Sequence, residues 1–198
     1  MMLWTIQTME AWDAIRTRGS LRGNRCQTEK AFRSAYDWMT RQMRQRIGPP
    51  PTRDSKPIWA WYQWRGDRQR KPDLRCGGHL ERGQKGVRVE FAVEDSRVLL
   101  SDFDLWHFAL NYWYLPTSEA DGDVFERKLA AEGQSFFTTK PLPIERYHRA
   151  IEASWNRIFD LDFLGEGITS PRKQKCLQAC LWEVFLADVT DVTEFTAR

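Results

Sequence analysis

The stretch LLSDFDLWHFALNYWYLP, residues 99–116, decides the fold because a strand and a helix meet inside it. Its first residues are apolar and end on acidic side chains, and the run that follows is rich in aromatic residues. Asp102 and Asp104 stand where the free backbone N–H groups and the positive dipole end of a helix favour acidic side chains. The stretch therefore predicts a strand that passes directly into a capped helix over residues 103–113.

Three polar side chains interrupt the apolar surface of this predicted helix. Asp104, His107 and Asn111 are spaced i, i+3 and i+7, so they form one stripe. A helix that is apolar nearly all round is usually buried, and a buried polar group without a partner costs about 1–3 kcal/mol. Two interpretations stay open: the stripe hydrogen-bonds to neighbouring backbone, or it faces a functional cleft.

The periodicity of the rest of the chain predicts an α+β fold. Strands are expected near residues 3–8, 57–64, 86–100 and 178–187, and helices over residues 28–47, 103–113 and 143–158. The block PIWAWYQW, residues 57–64, carries large groups on both faces, which is typical of a central strand. A short helix that ends at Gly19 follows the first strand. We expect a curved, mostly antiparallel sheet that is covered by helices.

Composition indicates a globular chain with a sizeable core. The 198 residues include ten tryptophans and eleven phenylalanines, and 29% are charged. This length favours one domain over residues 1–198. No segment approaches the roughly 20 apolar residues of a membrane span, so no membrane partner is expected. The N-terminus lacks the basic start and unbroken apolar run of a signal peptide, which predicts a cytoplasmic location.

Basic residues concentrate in the first half of the chain. Residues 1–90 carry 19 basic and 9 acidic side chains, a net charge of +10, and residues 91–198 carry a net charge of −7. The loop over residues 65–86 is rich in glycine and basic side chains. It predicts a nucleic-acid surface, with phosphates on the loop and bases stacked on nearby tryptophans. The candidate phosphate contacts are Arg65, Arg68, Arg70, Lys71 and Arg75, and the candidate stacking residues are Trp59, Trp61 and Trp64. Solvated loop charges beside core tryptophans are the alternative.

The cysteines do not indicate a disulfide scaffold, since four in a chain of this length are too few and too scattered. Cys76 and His79 have ligand-like spacing, and Cys26, Cys176 and Cys180 could complete a zinc site. Structural zinc sites usually show two tight ligand pairs, which this chain lacks, so no metal is expected. No phosphate-loop, dinucleotide or nucleophile-elbow motif is present.

Four blocks carry a resemblance that covers nearly the full length. They are the LWTIQ strand, the helix AYDWMTRQMRQRIGPPP, the block PIWAWYQW and the run LLSDFDLWHFALNYWYLP. Together they resemble an uncharacterised bacterial domain family. That family has no assigned activity, so the resemblance implies membership and no function.

The two ends of the chain also resemble the ADP-ribosyltransferase superfamily at the level of the fold. LWTIQTMEAWDAIRTRGSL is similar to the first strand and helix of its DNA-targeting toxins, with Thr5 in place of the usual histidine. LQACLWEVFLADVTDV is similar to a late strand, in which Glu183 matches the catalytic glutamate. The resemblance implies an ADP-ribosyltransferase-like fold and NAD as the donor for a nucleic-acid or protein acceptor.

The candidate site combines this resemblance with the polar stripe. The catalytic candidates are Glu183, His107 and Asp104, and the dinucleotide-binding candidates are Thr5, Gln7, Arg70 and Asn111. Glu183 would stabilise an oxocarbenium-like transition state; alternatively it is an outward-facing strand residue. Gln178 lies on the opposite face of a regular strand, so both can face one cleft only if the strand is irregular. The rival function is a binding module that contacts nucleic acid without chemistry.

Overall fold

The computed structural model describes residues 1–24, 30–135, 137 and 140–198. Within these residues the fold is α+β with a mostly antiparallel sheet, as predicted; the sheet is open, and there are five α-helices. The elements are β1 Met2–Thr8, α1 Met9–Arg18, β2 Ser20–Asn24, α2 Arg33–Arg46, β3 Ser55–Lys56, β4 Ile58–Gln63, β5 Lys85–Ala92, β6 Leu99–Asp102, α3 Phe103–Leu110, α4 Glu119–Ala131, α5 Glu145–Ser154, β7 Leu177–Leu181, β8 Glu183–Phe185 and β9 Val189–Thr196. None of the helices in these ranges is long and apolar enough to cross a membrane.

The strands form two sheets that share one continuous stretch of chain. The six-stranded sheet has the order β6-β7-β4-β1-β5-β9, and the three-stranded sheet has the order β3-β2-β8. All of these strand pairs are antiparallel. Strand β4 lies between β7 and β1, which confirms that the PIWAWYQW block is a central strand. Because β8 follows β7 directly, the chain passes from one sheet to the other at Trp182.

The six-stranded sheet has a hydrophobic core on each face, because successive side chains of a strand point to opposite sides. On one face Trp59 and Cys180 pack with the helices, and the largest partners are Trp38, Trp106 and Trp155. On the other face Ala60 and Leu181 pack with an aliphatic core that includes Leu3, Val89, Phe91 and, from α1, Trp12. The sheet is therefore the middle layer of the fold.

The start of the chain folds as its sequence predicts. The Thr8 side chain accepts a hydrogen bond from the Ala11 N–H and caps α1. Gly19 ends the helix with φ of 76°, a left-handed conformation that a glycine adopts without strain. The helix predicted over residues 28–47 is α2, preceded by a 3₁₀ turn over Lys30–Phe32. Residues 28–29 of that prediction lie outside the described ranges.

Two of the predicted strands are wrong in extent because each is divided between different partners. The strand predicted over residues 86–100 is β5 and β6. Strand β5 already pairs with β1 and β9, so residues 93–98 carry the chain to the opposite edge of the sheet. The strand predicted over residues 178–187 is β7 and β8, which separate at Trp182. Its indole N–H donates to the Gly48 carbonyl at 3.0 Å, in the turn after α2.

Two predicted helices are shorter than expected, and three strands were not predicted. Helix α3 ends at Leu110 because Tyr112 has φ of 60°, which a continuing right-handed helix does not allow. Helix α5 ends at Ser154, and a 3₁₀ turn continues over Trp155–Phe159. The prediction omitted β2, β3 and β9 because strand pairing, rather than hydrophobic alternation, makes them strands: β2 pairs with β8 and β3, and β9 pairs with β5.

A buried ion pair joins Asp102, the N-cap residue of α3, to Lys175 in the segment before β7. Lys175 Nζ lies 3.1 Å from Asp102 Oδ2, and both side chains are at most 1% exposed. The other carboxylate oxygen, Oδ1, accepts hydrogen bonds from the Asp104 and Leu105 N–H groups at 3.0 and 3.1 Å. Lys175 Nζ also donates to the Phe163 carbonyl at 2.8 Å. Asp102 therefore caps α3, as predicted, and balances a buried cation at the same time.

Asp102→Asn is expected to lower the free energy of unfolding by about 3–5 kcal/mol, because it leaves Lys175 buried without a counter-charge. Asparagine still caps a helix, so the loss reports the charge and not the cap. The double variant Asp102→Asn, Lys175→Met is expected to lose much less than the sum of the single variants. Urea denaturation of each purified variant measures these differences.

The matched control is the ion pair between Arg172 and Asp162, which has the same 3.1 Å separation but is largely exposed. Asp162→Asn is expected to cost less than about 1 kcal/mol. Equal losses from Asp102→Asn and Asp162→Asn would contradict the structural role given to the buried pair.

Candidate functional site

An aromatic cavity of about 360 Å³ lies between the six-stranded sheet and helices α2 and α3. Its side chains come from β1, β4, α2, α3 and β7 and include Ile6, Tyr36, Trp59, Trp61, Phe103, Trp106, Leu110 and Gln178. The Trp59 ring centroid lies 5.0 Å from that of Trp106, and the Trp61 centroid lies 4.9 Å from that of Phe103. These contacts hold the rings in place. The cavity thus offers flat, apolar walls that suit a planar ring.

Two residues of the aromatic cavity carry buried donors that the protein does not satisfy. Neither Gln178 Nε2 nor Trp59 Nε1 has a hydrogen-bond partner among the described residues. Gln178 is 5% exposed. Ser101, which faces it in the β6–β7 pair, has a buried hydroxyl that also lacks a hydrogen-bond partner among the described residues. Each unsatisfied group costs about 1–3 kcal/mol. A ligand with acceptor atoms on the edge of its ring would recover this cost.

A second, polar cavity of about 270 Å³ adjoins the aromatic cavity, and Ile6 and Trp59 line both. Its other side chains come from both sheets and include Gln7, Leu21, Arg22 and Ile58. Gly23 allows strands β2 and β3 to approach here, because a Cβ atom at this position would lie 2.6 Å from the Lys56 carbonyl oxygen. The two cavities form one groove where the two sheets meet.

Glu183 is held beside the polar cavity by an arginine. Arg22 Nε donates to Glu183 Oε1 at 2.7 Å, and the two residues face each other in the β2–β8 pair. Glu183 is 8% exposed, so it is not the outward-facing strand residue of the alternative interpretation. The break at Trp182 supplies the irregularity that the sequence required. Gln178 therefore lines the aromatic cavity, and Glu183 contacts Arg22 of the polar cavity without lining either cavity itself.

Thr5 and Gln7, the predicted dinucleotide-binding residues of β1, have different places in the groove. Thr5 is 1% exposed, and its hydroxyl donates to the Trp59 carbonyl at 3.0 Å. The same hydroxyl accepts a hydrogen bond from Gln7 Nε2 at 2.8 Å. Thr5 therefore positions Gln7, and Gln7 lines the polar cavity.

The polar stripe of α3 lies away from the groove. Asp104 and His107 are exposed, and the α3 side chains in the aromatic cavity are Phe103, Trp106 and Leu110. His107 Nδ1 lies 3.0 Å from the Phe103 carbonyl oxygen, and Asn111 Nδ2 donates to the His107 carbonyl. Partial burial and the neighbouring Asp102 carboxylate raise the pKa of Asp104. Hydrogen bonding to neighbouring backbone therefore matches the contacts of His107 and Asn111, whereas the Asp104 carboxylate is exposed and forms no hydrogen bond with a described residue.

The basic loop divides into engaged and unengaged cations. Arg70 Nε donates to the Tyr62 carbonyl at 3.1 Å, and its guanidinium stacks on the Tyr62 ring at 4.2 Å. Lys71 pairs with a carboxylate of β5, and Arg75 pairs with Asp73, holding the pKa of that carboxyl well below its usual value. The remaining two candidates, Arg65 and Arg68, form no ion pair with any described carboxylate. Arg65 lies over the Trp64 ring at 4.4 Å.

The candidate zinc ligands are dispersed. No group of three or more His, Cys, Asp or Glu side chains in the described ranges is placed to hold a metal ion. His79 Nε2 contacts the Asp73 carbonyl oxygen, and Cys180 is fully buried in β7. Burial and nearby carboxylates raise the pKa of Cys176 to about 11. Cys26 lies outside the described residues.

Arg22 is not among the site residues predicted from the sequence, and Gln178 has no predicted role. Arg22 lies on a short polar strand next to a glycine, and nothing local marks it as a partner of Glu183. Gln178 carried a stronger signal, because the alternation of β4 places Trp59 and Trp61 on one face. Strand pairing then sets Trp61 opposite Gln178.

One comparison with known proteins gives a match. The family model described as a domain of unknown function (DUF3841) matches residues 2–190. No curated protein and no solved structure matches the chain. The predicted resemblance to an uncharacterised family is confirmed, and the ADP-ribosyltransferase resemblance stays a prediction.

Gln178→Met is expected to raise the free energy of unfolding by about 1 kcal/mol, because it removes a buried donor that has no partner. Gln63 is the matched control. It is also 5% exposed, but its Nε2 donates to the Arg172 and Lys175 carbonyls at 2.9 and 2.8 Å. Gln63→Met is expected to lower the free energy of unfolding by about 1–3 kcal/mol. Urea denaturation reports both, and a loss of stability in both variants would show that Gln178 is a satisfied structural residue.

Proposed function

The chain belongs to the family described as a domain of unknown function (DUF3841), and we propose that its groove binds NAD and catalyses ADP-ribosyl transfer. The observation that carries this proposal is the pair of unsatisfied buried donors, Gln178 Nε2 and Trp59 Nε1, on residues that line an aromatic cavity. A protein core normally satisfies such groups itself. Leaving them free favours a bound ring that has acceptor atoms on its edge, such as adenine or nicotinamide.

The polar cavity supports a ligand that continues beyond the ring into sugar and phosphate. Gln7 and Arg22 line it, and they supply an amide and a guanidinium in place of the flat walls of the aromatic cavity. A guanidinium binds phosphate oxygens through paired hydrogen bonds. The two cavities together fall in the roughly 300–1,000 Å³ range of small-molecule sites. A nucleotide matches this sequence of apolar and polar surroundings.

Glu183 is the catalytic carboxylate in this proposal. It accepts a hydrogen bond from a ribose hydroxyl and stabilises the positive charge that develops on the ribose ring. The bond between ribose C1′ and the nicotinamide nitrogen breaks, and nicotinamide leaves with the bonding electron pair as a neutral molecule. A nucleophilic oxygen or nitrogen of the acceptor then bonds to C1′ and releases its proton. Arg22 keeps the carboxylate oriented before the donor binds.

The remaining predicted site residues do not contact the donor in this proposal. Thr5 positions Gln7 from within the sheet and does not contact the donor, because Thr5 is buried and lines neither cavity. Arg70 packs on Tyr62, and Asp104, His107 and Asn111 lie on the surface of α3. Arg70, Asp104, His107 and Asn111 line neither the aromatic nor the polar cavity, so the proposal gives them no contact with the donor.

Isothermal titration with NAD and an assay of nicotinamide release test the proposal. The unaltered protein is expected to bind NAD saturably. Glu183→Gln keeps a similar shape and is expected to retain binding within about 3-fold while turnover falls at least about 100-fold. Glu194→Gln, at an exposed position on β9, is the control and is expected to leave both unchanged. Absence of saturable binding up to millimolar NAD would overturn the donor assignment, and full turnover by Glu183→Gln would overturn the role of Glu183.

A further inference from the structure

A third cavity gathers basic side chains from two distant parts of the sequence. It has a volume of about 580 Å³ and is lined by Arg65, Gly66, Asp67, Arg68, Lys173 and Gln174. We call it the basic cavity. The first four residues follow β4, and the last two precede β7, which is the neighbour of β4 in the sheet. Three cations and one carboxylate therefore surround one space.

Two of the three cations of the basic cavity have no partner among the described residues, and the third, Arg65, lies over the Trp64 ring. Neither Arg68 nor Lys173 makes an ion pair or a side-chain hydrogen bond with any residue in the described ranges. The Asp67 carboxylate likewise forms no ion pair with any described cation. By contrast, Lys71 and Arg75 of the same loop are paired with carboxylates. The basic cavity consequently keeps a net positive charge that an incoming anion can neutralise.

The backbone around the basic cavity is fixed before any ligand binds. Gly66 N–H donates to the Lys175 carbonyl at 3.2 Å, and Asp67 N–H donates to the Lys173 carbonyl at 2.8 Å. Gly66 has φ of 74°, and a Cβ atom there would lie 2.7 Å from the Lys173 carbonyl oxygen. Only glycine permits this contact. The guanidinium groups and the ammonium group are thus carried on a preorganised frame, which reduces the entropy that binding costs.

We propose that the basic cavity binds a phosphate group of single-stranded nucleic acid. Two guanidinium groups and an ammonium group are the donors that proteins use for phosphate oxygens. A strand is favoured over a lone phosphate because Arg65 and Arg68 belong to residues 1–90, whose net charge of +10 attracts a polyanion over a distance. An open cavity next to the exposed Arg65 and Arg68 also leaves room for neighbouring nucleotides.

The position of the basic cavity gives the bound strand a role as the acceptor. Arg65 follows Trp61 of the aromatic cavity by four residues, which is at most about 13 Å of extended chain. Gln174 precedes Gln178 by the same number of residues on the paired strand. A strand anchored by one phosphate can therefore present a nucleotide to the groove. Its role as acceptor rests on the proposed transferase function, whereas its binding does not.

Fluorescence anisotropy with a labelled 12-nucleotide oligothymidylate tests the binding. Arg68→Glu and Lys173→Glu are each expected to weaken binding at least 10-fold at moderate salt. They are also expected to flatten the plot of log affinity against log salt by about 0.7 for each lost phosphate contact. The control Arg75→Glu makes the same charge change in the same loop at a cation that Asp73 already pairs. It is expected to weaken binding less than 2-fold.

Each contrary outcome overturns a defined part of the proposal. Absence of salt-dependent binding by the unaltered protein removes the nucleic-acid site. An equal loss of affinity in Arg75→Glu and Arg68→Glu would show that a diffuse basic surface, rather than the basic cavity, binds the oligonucleotide. Displacement of the oligonucleotide by 10 mM inorganic phosphate makes it a free-phosphate site. NAD titration of Arg68→Glu separates the two proposals, because the donor groove is intact in this variant and its NAD affinity is expected to be unchanged.

Discussion

The buried ion pair between Asp102 and Lys175 is the constraint on which the other features of the molecule depend. Asp102 ends β6 and caps α3, so it fixes where Phe103 and Trp106 enter the aromatic cavity. The Lys175 carbonyl accepts hydrogen bonds from Gly66 N–H and Gln63 Nε2, so the same lysine anchors the frame of the basic cavity. Two charges that are costly to bury thus place both sites relative to one strand pair.

The groove itself arises from a change of partner along one stretch of chain. If residues 177–187 formed one regular strand, Gln178 and Glu183 would face opposite sides of one sheet. The break at Trp182 instead sends Glu183 to the small sheet, where Arg22 holds it. The aromatic and polar cavities meet at this junction, and they share Trp59 and Ile6 as common walls. Binding sites often lie where two structural units meet, because a concave surface forms there without opening a core.

The unsatisfied donors of the groove carry a cost in stability that no described residue offsets. Gln63 and Gln178 are equally buried on neighbouring strands, yet the protein satisfies the first and leaves the second without a described partner. The other side chains that line the cavity beside Gln178 are mostly aromatic or aliphatic. Functional sites commonly retain such a local cost. Arg68 and Lys173 show the same pattern on the surface, because both line the basic cavity and neither forms an ion pair with a described carboxylate.

The amino-acid order by itself determined the elements whose signals are local. Thr8 and Gly19 bound α1, the apolar periodicity from Phe32 onward defines α2, and the aromatic alternation of residues 57–64 defines a central strand, because caps, turns and side-chain periodicity act over a few residues. Glu183 is a predicted site residue because its segment resembles a late strand of the ADP-ribosyltransferases. Arg22, Gln178 and Lys173 acquired their places only in the tertiary structure. Each depends on a partner more than 100 residues away or on a strand order that the local sequence does not encode. Long-range strand pairing decides which face of the sheet such a side chain lies on and which residues it contacts.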